Sequence, residues 1–305
     1  MTKVGDLQPD PSVIGNIAKP PFARPPDPTQ LFTERAERLR SLADGHDLES
    51  YLRFLAGLSD LQSRIQNGLP EPDFPPAETL ARASEHGMPP LDRNTFTADV
   101  AFDATLERLV EAAIDLDMPA EARAALDRLR AADVDMQDTM IRNVLADTIP
   151  IEALAEHVFV AAALQVHFAR LAERLDPAAL KPVGDGACPA CGGPQVASAI
   201  VGWAGAEGAR FCSCSLCGTL WNYIRARCTV CGSTAKMSYR EIDGGPGHIK
   251  AEVCESCRSY VKVVYQDKNP ALDPVADDVA TLALDLLVRD LGFRRGSVNP
   301  FLLGY

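Results

Sequence analysis

The sequence predicts an α+β protein, in which an N-terminal all-α domain precedes a duplicated, zinc-ribbon-like four-cysteine metal module and a C-terminal helix. Two observations predict this division. Four Cys-x-x-Cys pairs fall within the 70 residues from Cys188 to Cys257 of the 305-residue chain. Apolar residues at helical spacing dominate the sequence before that stretch and return after it.

Proline and apolar spacing divide the N-terminal part of the chain. We expect residues 1–28 to form an extended arm, because seven prolines lie there among few neighbouring apolar residues. A helical domain is predicted over 29–183. The proline-rich segment 69–91 within it is interpreted as a linker around a short helix at 78–84.

Start signals position the other helices of this domain. Asp27-Pro28 marks the first helix, and the second is expected to begin near Leu48. Pro119 and Asp133 mark two later starts. The later helices are predicted at about 97–115, 120–131, 134–146 and 152–175.

The segment 152–175 is the most apolar of these helices, so we expect it at the centre of the helical domain. His157 and His167 lie ten residues apart on it. At the rise of an α-helix they are separated by roughly 15 Å, too far to share one metal ion. We therefore predict that both histidines belong to the core or its rim.

The four cysteine pairs repeat at a fixed offset. Cys188 and Cys228 are 40 positions apart, as are Cys214 and Cys254. Gly192 with Gly232, Ser198 with Ser238 and Gly205 with Gly245 match at the same offset. The stretch is therefore interpreted as one forty-residue unit used twice.

Two Cys-x-x-Cys turns on neighbouring hairpins can close a tetrahedral four-thiolate site for zinc or iron. Because such a set has no open position for substrate, we expect structural or electron-carrying sites rather than hydrolytic ones. Duplication makes each repeat self-sufficient, with interleaved pairing as the alternative. The two predicted ligand sets are Cys188, Cys191, Cys214, Cys217 and Cys228, Cys231, Cys254, Cys257.

Disulfides and a thioredoxin-like redox couple are alternative explanations for the cysteine pairs, and both fit a duplicated four-pair array poorly.

The turn after the second cysteine of a pair often needs positive φ, which glycine adopts easily. Three pairs are directly followed by glycine, at Gly192, Gly218 and Gly232, whereas Arg258 follows the fourth pair.

The ninth cysteine, Cys212, is interpreted as a small buried residue, with a spare thiol near the metal as the alternative.

The module region is predicted over 184–268, with repeats at about 187–226 and 227–266. Runs favouring β-structure at 195–203 and 239–242 predict short hairpin strands, and Trp221 and Tyr223 are expected to cover the metal-centred core. Residues 269–305 are predicted to form a C-terminal helix over 275–290 and a docked apolar tail.

Composition excludes several classes of function. Thirty Lys and Arg against 42 Asp and Glu give a formal net charge of −12, which argues against nucleic-acid binding. No signal peptide and no uninterrupted apolar run of membrane-spanning length is evident, so we expect a cytoplasmic protein with reduced thiols and no membrane insertion. No phosphate loop, nucleophile elbow or convincing acid/base pair nominates a catalytic centre, so an enzyme is not expected.

Several motifs carry a resemblance to a known family. They are Cys188-Pro-Ala-Cys-Gly192, Cys214-Ser-Leu-Cys217 with Trp221, Arg227-Cys-Thr-Val-Cys231, Ala251-Glu-Val-Cys-Glu-Ser-Cys257, Ala276-Asp-Asp-Val-Ala-Thr-Leu-Ala-Leu-Asp-Leu286 and Asn299-Pro-Phe-Leu302. Upstream, Pro26-Asp-Pro28 and Tyr51-Leu-Arg-Phe-Leu55 are also similar. Together they resemble the formate dehydrogenase accessory protein FdhE family over nearly the whole chain.

The resemblance implies a non-catalytic maturation factor that binds the catalytic subunit of respiratory formate dehydrogenase in the cytoplasm, before export. It also implies rubredoxin-like modules, with iron expected in both four-cysteine sets and zinc as the alternative. Two other functions stay open: a rubredoxin-like one-electron carrier and a zinc-ribbon protein-interaction scaffold. A homodimer is compatible with the sequence.

Overall fold

The computed structural model describes residues 20–302 as a helical region followed by a sheet, which confirms the predicted fold class. Residues 1–19 of the predicted arm and 303–305 of the predicted tail lie outside the described residues. The N-terminal helices are α1 (Pro28–Ala43), α2 (Glu49–Arg64), α3 (Ala77–His86), α4 (Val100–Ala112), α5 (Ala120–Ala131), α6 (Val134–Leu145) and α7 (Leu154–Glu173).

Aspartate side chains determine where three of these helices begin. The Asp27 carboxylate accepts hydrogen bonds from the first-turn N–H groups of α1 at 3.1 Å, and Asp133 accepts one from Met136 of α6 at 2.9 Å. Both predicted starts are confirmed. Asp99 accepts the Phe102 N–H at 2.7 Å, so α4 begins three residues later than expected.

Helix α7 is the core of the helical region, as predicted. Sixteen of its 20 residues are buried, and it packs against α1, α2, α4, α5 and α6. Phe159 and Phe168 lie in this core almost without solvent exposure. A helix that is apolar on every face is stable in water only when other helices surround it.

One helical segment, Ile151–Glu173, is long and apolar enough to cross a membrane by length and composition alone, although charged residues interrupt it. Within the protein, 72% of its most apolar window is buried. Its composition is therefore accounted for by its place at the centre of the helical region.

The strands form one mixed sheet. They are β1 (Ala23–Arg24), β2 (Gln195–Ile200), β3 (Arg210–Cys214), β4 (Leu220–Asn222), β5 (Met237–Arg240), β6 (Ile249–Cys254), β7 (Ser259–Tyr265) and β8 (Arg294–Arg295). Their order is β1-β4-β3-β2-β7-β6-β5, with β8 also paired to β7. The predicted strands at 195–203 and 239–242 correspond to β2 and β5, which end earlier than expected at Ile200 and Arg240.

Each forty-residue repeat supplies three antiparallel strands: β2, β3 and β4 from the first, and β5, β6 and β7 from the second. Parallel pairing of β2 with β7, in which Ser198 lies opposite Val263, joins the repeats into one sheet. Arg210 and Glu252 add a buried ion pair between the repeats, 2.9 Å apart. The two repeats therefore form the two halves of one sheet rather than two separate structural units.

The predicted continuous helix over 275–290 is wrong, because the structure has two helices, α8 (Ala276–Ala280) and α9 (Leu282–Asp290). Side chains replace the helical partners of the carbonyl groups at the break. The Lys262 ammonium donates to the carbonyls of Asp278 and Thr281 at 2.8 and 3.0 Å. His46 Nε2 hydrogen-bonds the carbonyl of Ala280 at 2.9 Å.

A buried ionic cluster fastens these C-terminal helices to the sheet. Lys262 and Arg295 each contact the carboxylates of both Asp278 and Asp285. Lys262 and Asp278 are fully buried. Burial raises the pKa of Asp278, but the two cations outweigh that effect and hold the pKa below its ordinary value. Asp278 therefore remains a carboxylate beside the two cations.

Candidate metal centres

Each Cys-x-x-Cys pair lies on a tight turn whose last residue is left-handed. Gly192, Gly218 and Gly232 have φ of 74°, 73° and 69°, as predicted. Arg258 adopts the same conformation at φ 56° despite its side chain. The Arg258 guanidinium donates to the Leu291 carbonyl at 3.0 Å and stacks 4.0 Å from the Phe293 ring, contacts that favour this otherwise uncommon conformation.

The structure brings the four cysteines of each repeat together, so that the sulfur atoms of each set lie within 4.8 Å of one another. We call Cys188, Cys191, Cys214 and Cys217 the inner set, and Cys228, Cys231, Cys254 and Cys257 the outer set. Among the described residues, the groupings that could hold a metal ion contain cysteine alone.

Sulfur spacing in the inner set fits a metal ion rather than a disulfide. Cys188 Sγ lies 3.6 Å from Cys217 Sγ, and Cys191 Sγ lies 3.4 Å from Cys214 Sγ. A disulfide bond would need about 2.05 Å. Tetrahedral Zn–S bonds of about 2.3 Å would place the sulfurs about 3.8 Å apart, so a small outward movement accommodates the ion.

Sulfur spacing in the outer set already matches that tetrahedron. Cys228 Sγ lies 3.8 Å from Cys257 Sγ, and Cys231 Sγ lies 3.8 Å from Cys254 Sγ. The Val230 N–H points to Cys228 Sγ at 3.4 Å. In the inner set, the N–H groups of Leu216 and Cys217 point to Cys214 Sγ at the same distance. Such donors stabilise the thiolate form that binds metal.

Hydrogen bonding lowers the pKa of Cys214 in the inner set and of Cys254 in the outer set. Burial raises the pKa of Cys214, but hydrogen bonds from the other three thiols and the Cys217 N–H outweigh it and hold the pKa well below its ordinary value. Burial also raises the pKa of Cys254, but hydrogen bonds outweigh that effect and lower the pKa to about 7. Burial instead raises the pKa of Cys188 well above its ordinary value. Metal binding must therefore displace the proton of Cys188.

The helical region covers the inner set. The Leu91 N–H donates to the Ala190 carbonyl at 2.9 Å, and the Arg93 N–H donates to the Cys191 carbonyl at 3.1 Å. Gln165, in the middle of α7, donates to the Ser215 carbonyl at 2.8 Å. These contacts come from residues that the sequence analysis did not assign to the site.

Gln165 contacts the candidate metal site, and the sequence analysis did not identify it. The sequence nevertheless contains a signal for such a contact. Gln165 interrupts an otherwise apolar stretch of the central helix and is 2% exposed. Its side chain also accepts hydrogen bonds from Gln62 and Arg35 at 3.1 and 3.3 Å. Since buried polar groups need partners, a lone glutamine in such a helix indicates a specific contact.

Cys212 belongs to neither set. It is fully buried on β3, opposite Trp221, and its sulfur lies 3.8 Å from the Ser198 hydroxyl. Burial raises the pKa of its thiol to about 11. The interpretation as a small buried residue therefore fits this environment.

The two histidines of α7 are core residues, as predicted. His157 Nδ1 hydrogen-bonds the Ala153 carbonyl at 2.6 Å. His167 packs edge-on against Phe96 and Phe102, with ring centroids 5.4 and 5.6 Å away. Desolvation lowers the pKa of His167 to about 4, so this imidazole is neutral near pH 7.

Trp221 and Tyr223 both lie near the end of the first repeat, but Trp221 packs in the hydrophobic core and Tyr223 makes polar contacts. Trp221 is 2% exposed and packs into the main hydrophobic core with the inner cysteines. The Tyr223 hydroxyl donates to the Asp185 carboxylate at 2.8 Å and to the Cys228 carbonyl at 3.2 Å. Tyr223 therefore links the first repeat to the start of the outer set.

Comparison with known proteins places the whole described chain in one group. Residues 20–185 match the family model described as FdhE, N-terminal, residues 187–225 match FdhE, central domain, and residues 226–302 match FdhE, C-terminal domain. A protein named FdhE homolog from Rhizobium meliloti (strain 1021) is 47% identical over 304 residues, or 99% of each chain.

More distant relatives agree in sequence and in structure. Protein FdhE of Escherichia coli O9:H4 (strain HS) is 34% identical over 275 residues, which cover 89% of this chain and 88% of that protein. The crystal structure of the FdhE protein from Pseudomonas aeruginosa matches with a TM-score of 0.83 at 33% identity. That match covers 93% of this chain and 99% of the solved one.

Proposed function

Because the chain belongs to the FdhE family, we propose that it is a non-catalytic accessory protein for the assembly of a respiratory formate dehydrogenase. In this proposal it acts in the cytoplasm and binds the catalytic subunit of that enzyme before the subunit is exported. The family match spans nearly the full chain, which supports applying this proposal to the helical region and the sheet together.

The observation that carries a non-catalytic role is that each cysteine set can supply all four ligands of one ion. Each set offers four sulfur atoms to one ion, which fills a tetrahedral coordination sphere and leaves no position for water or substrate. Such ions stabilise the fold around them. The shared sheet then presents a rigid surface to a partner.

Charge supports a basic partner surface. The formal net charge of the chain is −12, and complementary charge accelerates association and favours the correct partner. The interaction should therefore weaken as ionic strength rises, because salt screens exposed charges. This dependence can be measured on the isolated complex.

The test is carried out in a bacterium that lacks its own FdhE protein and makes a respiratory formate dehydrogenase. We expect the tagged chain to co-purify with the unexported catalytic subunit and to restore formate-dependent dye reduction. A control variant, Cys188→Ser with Cys228→Ser, lacks one ligand in each set and should do neither. Failure of the unaltered chain to associate with the subunit in the cell would contradict the proposal.

Metal analysis of protein purified without air distinguishes the alternative function of electron carrier. About two iron ions per chain, with a thiolate charge-transfer band that bleaches reversibly on reduction, would favour that alternative. About two zinc ions and no colour would favour sites that only stabilise the fold. Either metal is compatible with the accessory role.

A further inference from the structure

The two cysteine sets come from one repeated unit, yet they differ in solvent access. All four cysteines of the inner set are at most 2% exposed. In the outer set Cys228 and Cys254 are buried, Cys257 is half-buried and Cys231 is exposed. Positions related by the repeat therefore differ: Cys191 is fully buried, and Cys231 is exposed to solvent.

We infer that the inner set holds a structural ion that stays in place, whereas the outer set is an exchange site for thiolate ligands from outside the protein. Such a ligand reaches the ion beside Cys231. This inference concerns the metal sites alone and does not depend on the partner proposed above.

The inner set is closed by the helical region from several sides. Besides the backbone contacts of Leu91 and Arg93 and the Gln165 amide, apolar side chains pack on its turns. A β-carbon added at Gly192 would lie 3.1 Å from Pro89, and one added at Gly218 would lie 2.6 Å from Leu31. An incoming ligand could reach the inner ion only after these contacts separate.

Neighbours of the outer set leave its Cys231 side accessible. Val230, the residue before Cys231, is 38% exposed. Ser233 and Ser256 border the set with a hydroxyl–hydroxyl contact of 3.1 Å that is itself exposed. Arg258 directly follows Cys257, and its guanidinium lies 4.0 Å from the Phe293 ring. On the turn that follows Cys231 the nearest groups to Gly232 are the side chains of Asp185 and Arg227, and Cys231 is nonetheless exposed.

Exchange at this site conserves charge and coordination number. An incoming thiolate would replace Cys231 as one of the four sulfur ligands of a bound ion, and Cys231 would take up, through water, the proton that the incoming thiol had lost. Cys228, Cys254 and Cys257 would supply the other three ligands. Thiolates exchange at soft metal ions of this kind because they are the ligands such ions prefer.

The test uses the full chain loaded with two zinc ions and an excess of a chromogenic zinc chelator. Release is followed after addition of either glutathione, a free monothiol, or a short peptide with one Cys-x-x-Cys pair. We expect one ion to leave at least tenfold faster than the other with either thiol. A faster reaction with the peptide would identify a protein dithiol as the preferred ligand, and a faster one with glutathione would identify a small thiol.

Alkylation with iodoacetamide during release, followed by peptide mass spectrometry, shows which cysteine set loses its ion first, which we call the fast ion. This measurement needs no substitution. Labelling should reach Cys231 and Cys257 first and Cys188 and Cys191 last. The variant Cys231→Ser should retain one slowly released ion. The repeat-related variant Cys191→Ser should keep the fast ion.

Three outcomes would overturn the inference. They are release rates that differ by less than tenfold, first labelling within the inner set, and binding of fewer than two zinc ions by the unaltered chain. Because the labelling order is read on unaltered protein, misfolding of either variant leaves the test decisive.

Discussion

The side-chain amide of Gln165 donates a 2.8 Å hydrogen bond to the backbone carbonyl of Ser215. One partner lies in the middle of the central helix, and the other lies between Cys214 and Cys217. The most buried helix of the protein is thereby joined directly to a turn that carries two candidate metal ligands. Stability of the helical region and occupancy of the inner set should therefore depend on each other.

Replacing Gln165 with leucine tests this connection. Gln165→Leu leaves the Ser215 carbonyl and the donors of Gln62 and Arg35 without their partner, and each unsatisfied buried group costs about 1–3 kcal/mol. We expect urea denaturation of the zinc-loaded chain to show a loss of at least that size. Gln30→Leu, at an exposed position of α1, should change stability by less than about 0.5 kcal/mol. Equal effects of the two variants would refute the connection.

Lys262→Met should destabilise the protein strongly. The substitution removes a cation from beside the buried carboxylates of Asp278 and Asp285 and leaves Arg295 alone to neutralise both. Breaking a buried ion pair in this way costs about 3–5 kcal/mol. The matched control is Lys250→Met on the adjacent strand.

The Lys250 side chain is 24% exposed and pairs with Glu241, so its loss should cost less than about 1 kcal/mol. Both free energies of unfolding are measured by urea denaturation at pH 7. A loss below about 1 kcal/mol for Lys262→Met would show that the cluster contributes little.

His167 should make the protein less stable in acid. Because its pKa is about 4 in the folded protein and 6.5 for an ordinary solvated histidine, the unfolded chain binds the proton first as pH falls. Stability from the neutral imidazole is present above pH 6.5 and declines between pH 6.5 and 4. At pH 5 the loss should be about 2 kcal/mol relative to pH 7.5.

The variant His167→Leu lacks this titration, so its loss of stability between pH 7.5 and pH 5 should be about 2 kcal/mol smaller than that of the unaltered chain. His86→Gln, which alters an exposed histidine, should behave like the unaltered chain. Urea denaturation at the two pH values measures the difference. Identical pH dependence for all three proteins would exclude the buried imidazole as its source.

Cys212→Ser should leave metal binding intact. Its sulfur lies in a buried position beside Ser198 and outside both cysteine sets, so elemental analysis should still find two ions per chain. Cys214→Ser, two positions away on the same strand, should lose one ion. Loss of an ion from Cys212→Ser would identify Cys212 as part of the inner site.

Local patterns identified much of the fold. Asp27 and Asp133 cap helices where the sequence placed their starts, because capping requires only a side chain and the next two or three N–H groups. The positive φ of Gly192, Gly218 and Gly232 followed from their place after a second cysteine. Arg258 adopts the same conformation and gains contacts to Leu291 and Phe293, which are more than thirty residues away in the chain.

Contacts between distant segments decided what local patterns did not show. Apolar spacing predicted one helix over 275–290, whereas carbonyl groups at the break near Thr281 accept hydrogen bonds from Lys262 and His46, which no helix-local signal reveals. The identity of the metal ligands, the domain boundaries and the location of the protein in the cell stay predictions.

The sequence by itself determined the repeated unit, the eight paired cysteines and the helical character of the first half, because spacing and turn chemistry act over a few residues. Only the tertiary structure decided that β2 and β7 join the repeats into one sheet and that the helical region covers the inner set. Two copies of one unit have the same local chemistry. Their different burial arises from long-range packing, which places α7 against the inner set and leaves Cys231 of the outer set exposed to water.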